Sequence, residues 1–114
     1  MTTPAPQRLK RRAEFLHVAA KGRKAAVHGL VLQALARADQ EPARIGFTVT
    51  KKIGNAVVRN RARRRLKEAA RLLLRTRPVE GADLVIIGRE GTLRRRFTDL
   101  MDDLGRALDK AGIR

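Results

Sequence analysis

The chain contains no cysteine, tryptophan or tyrosine, and only three phenylalanines. Without cysteine there is no disulfide framework, no thiolate nucleophile and no cysteine-rich zinc site, which fits a reducing compartment. So few rings leave any nucleobase-binding surface little to stack on. No apolar run approaches the roughly 18 residues that mark a membrane span, and the opening MTTPAPQRLKRR has none of the apolar character of a signal peptide. These absences predict a soluble, cytoplasmic protein with no membrane partner.

Acids are scarce as well. Eleven Asp plus Glu face 27 Lys plus Arg, a net charge of +16 over 114 residues. A protein nuclease wants paired carboxylates for metals or a histidine base with a partner. Asp99, Asp102 and Asp103 cluster, but helical spacing puts Asp99 and Asp102 on an exposed side among cations, and His17 and His28 are isolated in sequence. No catalytic side chain and no protein-held cofactor is expected, and the residues leave a metal site undetermined.

What is abundant is cationic charge, which costs a compact chain self-repulsion unless a polyanion neutralises it. Arginine outnumbers lysine twenty to seven. Guanidinium grips phosphate through a fork and stacks on bases, so the bias suits RNA. The length predicts one domain, taken as residues 8–114 after a disordered tail over 1–7.

After a basic lead-in from Arg8 to Arg12, Phe15, Val18 and Ala19 recur at helical spacing and Gly22 follows, predicting a first helix over Arg12–Lys21. Ala25–Val27 and Leu30–Ala36 read as two strands joined at His28 and Gly29, although VLQALARA has helical propensity too. Arg44 to about Lys51 alternates as a third strand. Ala82–Gly88 (ADLVIIG) is a continuous apolar run, the pattern of a strand covered on both faces. Thr92 is placed to cap a last helix carrying Leu93, Phe97, Leu100, Met101, Leu104 and Leu108, ended by Gly112. The order αβββαβα predicts an α+β, two-layer sandwich with a four-stranded mixed sheet.

Between the third and fourth strands lies the most informative stretch, KKIGNAVVRNRARRRLKEAARLLLR. Val58, Ala62, Leu66, Ala69, Ala70 and Leu73 fall within an arc of about 120°, a core-facing stripe. Arg59, Arg61, Arg63, Arg64, Arg65 and Lys67 fall within nine positions with no acid among them. An amphipathic helix commonly has a solvated charged face, but a run this dense repels itself, and phosphate binding is the reading favoured here. Lys51, Lys52 and the Gly54 backbone stand beside the helix N-terminus, where free amides and the dipole attract phosphate. Gly54 equally permits a tight turn and Asn55 caps the helix. Neither GxGxxG nor GxxxxGK[ST] is present.

KKIGNAVVRNRARRRLKE resembles the arginine-asparagine-arginine signature of the bacterial ribonuclease P protein subunit family. RIGFTVTKK before it, ADLVIIGR after it and the opening RLKRRAEFLHVAAKG match in order, covering about residues 8–110. The resemblance implies a left-handed βαβ crossover, against the usual right-handed rule, in a fold like the second domain of ribosomal protein S5. It implies that Arg59, Asn60 and Arg61, with Lys51, Lys52, Gly54, Asn55, Arg63, Arg64, Arg65 and Lys67, dock a catalytic RNA. That RNA would carry the endonuclease chemistry, with magnesium expected in the complex and none bound by the protein alone.

The family also implies a second surface, a cleft between first helix and sheet for the 5′ leader of precursor tRNA. Phe15, Val18, Thr48, Thr50 and Arg89 are its candidates here. Periodicity by itself makes Phe15 and Val18 core residues. Ala19 and Gln33 stand where many members have aromatics, so leader binding should lean on charge and hydrogen bonds. A ribosome-associated binding module and a stand-alone nuclease share the basic footprint and are the rival readings.

Overall fold

A computed structural model describes residues 6–113 of the chain. Its elements run β1 (Gln7–Arg8), α1 (Arg12–Lys21), β2 (Arg23–Ala26), β3 (Leu30–Ala36), β4 (Arg44–Thr48), a 3-10 turn (Lys51–Ile53), α2 (Ala56–Thr76), β5 (Ala82–Gly88), α3 (Gly91–Arg94) and α4 (Phe97–Lys110). The mixed sheet has the order β1-β4-β5-β3-β2. β4 lies parallel to both β1 and β5, while β3 is antiparallel to β5 and β2. The α+β class stands, with five strands instead of four.

The additional strand is β1. Gln7 donates its N–H to Ala43 and Leu9 to Ile45, at 2.8 and 3.0 Å, which ties the basic lead-in to the edge of β4. Two exposed residues carry no alternation, so only their partner reveals them as a strand. Residues 1–5 of the expected tail lie outside the described residues.

β5 is central and buried nearly throughout. Its Leu84 and Ile86 join the main core under α2 and α4, and its Val85 and Ile87 meet Val18, Phe15 and Leu9 on the other face. The sandwich therefore carries a third, partial layer: α1 covers one face of a sheet whose other face holds α2 and α4. Only Val18 of α1 is fully buried, too weak a signature to place the helix from sequence.

β4 ends at Thr48, earlier than its alternation suggests, because Thr50 begins the 3-10 turn. The last helix is broken in two. Arg95 and Arg96 are extended, and the carbonyls freed there are taken by Arg65, whose Nε donates to Thr92 at 2.9 Å and whose Nη2 donates to Arg95. Thr92 is not a cap. Its buried hydroxyl accepts from the Arg89 N–H and donates to the Gly29 carbonyl, tying α3 to the β2–β3 hairpin. Gly112, at φ 75°, ends α4 as expected, with the Gly112 and Ile113 N–H groups returning to Asp109 and Leu108.

Candidate nucleic-acid interface

The turn into α2 is set by backbone needs. Gly54 sits at φ 155°, where a Cβ would lie 2.9 Å from Val58. The Asn55 side chain accepts from the Val58 N–H at 3.0 Å, a direct N-cap. Lys51 and Lys52 are exposed on the 3-10 turn, anchored by half-buried Ile53. Two lysines thus flank a capped helix N-terminus.

Along α2, Ala62, Leu66, Ala69, Ala70 and Leu74 face the core, and the cations sort around that stripe. Asn60, Arg61 and Arg64 are exposed. Arg63 leans on Asn60 at 3.0 Å. Arg59 is half-buried, and its Nε is shielded from solvent without a hydrogen-bond partner among the described residues. Burial and the charges of Arg8 and Arg63 hold the Lys67 ammonium below its ordinary pKa. Arg65 differs: its guanidinium is committed to the α3 carbonyls and lies 6.0 Å from the Phe97 ring. As placed, it holds the fold together and offers little to a ligand.

The second candidate surface is the α1 face of the sheet. Phe15 is half-buried with its ring over Gly46, where a Cβ would run into it. Val18 is 0% exposed and presents no surface to a ligand. Thr48 is half-buried and Thr50 exposed, on the same alternation as Gly46. Arg89 is exposed two positions beyond Ile87, the residue paired with Thr48. One Arg89 Nη donates to the Val27 carbonyl at 2.6 Å, bracing the hairpin. Phe15, Thr48, Thr50 and Arg89 thus share one face. Ala19 is exposed on α1, and half-buried Gln33 lies on this face of β3.

An ion network that no local pattern discloses holds α1 in place. Glu14 accepts the Lys10 and Arg11 N–H groups and the Arg44 guanidinium, while Arg44 grips Asp83 through two donors at 2.9 and 2.7 Å. Arg37 completes the cluster on Asp83. Burial pushes the Asp83 carboxyl up, but hydrogen bonds and charge from Arg44 and Arg37 outweigh it and hold the group below the usual carboxylate range. Asp103, which clusters in sequence with Asp99 and Asp102, is 0% exposed and clasped by Arg95 and Arg106. Among the described residues no three His, Cys, Asp or Glu come together as a metal site, and no helix is long and apolar enough to cross a membrane.

These features define a small, strongly basic α+β protein. Its cationic helix lies on one face of a mixed sheet and a partly open platform on the other. The Ribonuclease P family model matches residues 3–112. The chain is 65% identical over 107 residues to the ribonuclease P protein component of Gluconacetobacter diazotrophicus, covering 94% of this chain and 92% of that one. It is 49% identical to the component from Paramagnetospirillum magneticum, over 92% of this chain and 82% of the relative. Among solved structures, a Staphylococcus aureus RNase P protein mutant with defective mRNA degradation activity superposes at TM-score 0.79 and 25% identity, covering 94% of this chain and 89% of that one. The RNase P protein from Thermotoga maritima gives 0.74 at 25% identity, over 91% and 96%. The chain belongs to the ribonuclease P protein family.

Proposed function

We propose that the chain is the protein subunit of a ribonucleoprotein endonuclease that removes the 5′ leader from precursor tRNA in the cytoplasm, with the chemistry in its partner RNA. The observation that carries this reading, beside family membership, is the outer face of α2. There Arg61 and Arg64 have no carboxylate partner among the described residues, unlike the arginines at the sheet ends. Such a face pays its self-repulsion back only against a polyanion.

In this reading Arg59, Asn60, Arg61, Arg63, Arg64 and Lys67, with Lys51 and Lys52, contact the RNA subunit. Phe15, Thr48, Thr50 and Arg89 line the leader path, and Val18 and Arg65 support these surfaces from inside. Magnesium enters with the RNA, neutralising phosphates that the protein does not reach. The chain's own contribution is charge neutralisation and a longer contact with substrate.

Reconstitution tests this. Added to a bacterial ribonuclease P RNA at low magnesium, the chain should raise cleavage of a leader-bearing precursor tRNA, and no increase would overturn the proposal. Cleavage by the purified protein without RNA would instead favour a stand-alone nuclease. Affinity independent of leader length would remove the second surface.

A further inference from the structure

Pairing of β1 with β4 stops at Ile45, so the β4 edge beyond it is left open as the chain turns into α1. A groove of about 420 Å³ opens there, lined by Phe15 from one face of the sheet and by Arg63 and Lys67 of α2 from the other. Beside it lies a second, open recess of about 280 Å³ between β1, β4 and α2. Arg8, Ile45, Phe47 and Lys67 border both.

The two halves differ in chemistry. The second recess is walled by Ile45, Phe47, Ala70 and Leu74, with Gln7 its one uncharged polar side chain and Arg71, already paired with Glu68, on its border. At its mouth stand Arg8, Arg63 and Lys67. None of the three has an ion pair with an acid of the described residues, and the first five residues, which precede the recess, include no acid. Burial, with the charges of Arg8 and Arg63, holds the Lys67 ammonium below its ordinary value. An apolar slot beside uncompensated cations fits an aromatic ring joined to a phosphate.

We propose that this edge groove binds one unstacked nucleotide of an RNA strand, the base inserted against Phe47, Ala70 and Leu74 and its phosphate held by Arg8, Arg63 and Lys67. The inference rests on the RNA-binding reading above and adds to it a base-holding slot between its two surfaces. With Gln7 alone to read a base edge, the slot discriminates little among bases. An acidic peptide would satisfy the cations but leave the ring-sized recess unfilled.

The test is titration of the full chain with a five-nucleotide oligoadenylate, the same strand with abasic sugars, and inorganic phosphate, read by NMR of the Ile45 and Leu74 methyls and the Phe47 ring. The oligoadenylate should shift these signals and bind about fivefold or more tighter than the abasic strand. Lys67→Ala should weaken both strands, while Ala70→Leu, which fills the slot, should abolish the difference between them. Should Ala70→Leu not fold, the abasic comparison on the unaltered chain decides. Equal affinity of the two strands, or shifts confined to the Thr48 and Ile87 signals, would overturn the proposal. A chain that raises cleavage in reconstitution yet fails here loses only the slot. One that binds the oligoadenylate here yet fails in reconstitution loses the subunit role instead.

Discussion

Two populations of arginine divide this molecule. At the ends of the sheet, Arg37 and Arg44 converge on Asp83, and Arg95 and Arg106 on Asp103, with both carboxylates nearly or wholly buried. On the outer face of α2, Arg61 and Arg64 are exposed and meet no acid among the described residues. The residue type is the same and the consequence opposite. A guanidinium against a buried carboxylate belongs to the fold, because removing the arginine strands the carboxylate charge away from water. A guanidinium with no partner adds repulsion to the free protein and is useful only when an anion arrives. The paired set should therefore govern stability and the unpaired set binding.

The sharpest attempt to break this division is Asp103→Ala. It leaves Arg95 and a partly hydrated Arg106 without their carboxylate and should cost about 3 kcal/mol, read as a lowered denaturation midpoint. A loss no larger than that of a surface substitution would erase the distinction. Acid should act on the same pairs. Burial pushes the Asp103 carboxyl up, yet hydrogen bonds and charge from Arg95 and Arg106 hold it below the ordinary value, as Asp83 is held by its own arginines. A carboxyl depressed in the folded state contributes fully above its unfolded pKa, about 3.9, and that contribution is lost as pH falls through the folded value. Midpoints should be level above about pH 5 and fall below about pH 4, less steeply in Asp103→Ala.

Next in size is Gly46→Ala. A methyl there meets the Phe15 ring, so the ring or all of α1 must move, at about 2 kcal/mol. Leader-dependent affinity should fall with it, while assembly with the RNA subunit, proposed above to use the opposite face, should change little. Equal losses in both assays would show that the two surfaces are not independent. Asn55→Ala is smaller, about 1 kcal/mol, because it removes the α2 cap. It lies on the side proposed to dock RNA yet should register mainly in stability.

The sequence shows which segments are helix and strand far better than which arginine belongs to which population. α1, β3 and β5 fall at the expected boundaries because helical spacing, alternation and a continuous apolar run are local signals. Pairing is not local: Arg37 and Asp83 stand 46 residues apart, and Arg65, in the middle of an exposed-looking run, spends its guanidinium on carbonyls 27 and 30 residues away. For the same reason β1 and the break at Arg95 could not be read. Both exist through distant partners, β4 for the one and Arg65 for the other. The cationic face of α2 was legible because charge density needs no partner.

The smallest effect on the fold should come from Arg61→Ala, and it tests the unpaired population most directly. Arg61 has no hydrogen bond or ion pair among the described residues, so its removal should move stability by less than about 0.5 kcal/mol. If it meets a phosphate of the RNA subunit, affinity should weaken and the slope of log affinity against log salt should shrink by roughly one. Arg65→Ala is the matched control from the next turn of α2. It frees two carbonyls and should lower the denaturation midpoint, while the salt slope of the protein that remains folded stays unchanged. A change in slope for Arg65→Ala, or none for Arg61→Ala, would mean that partnership inside the protein does not decide which arginines reach the RNA.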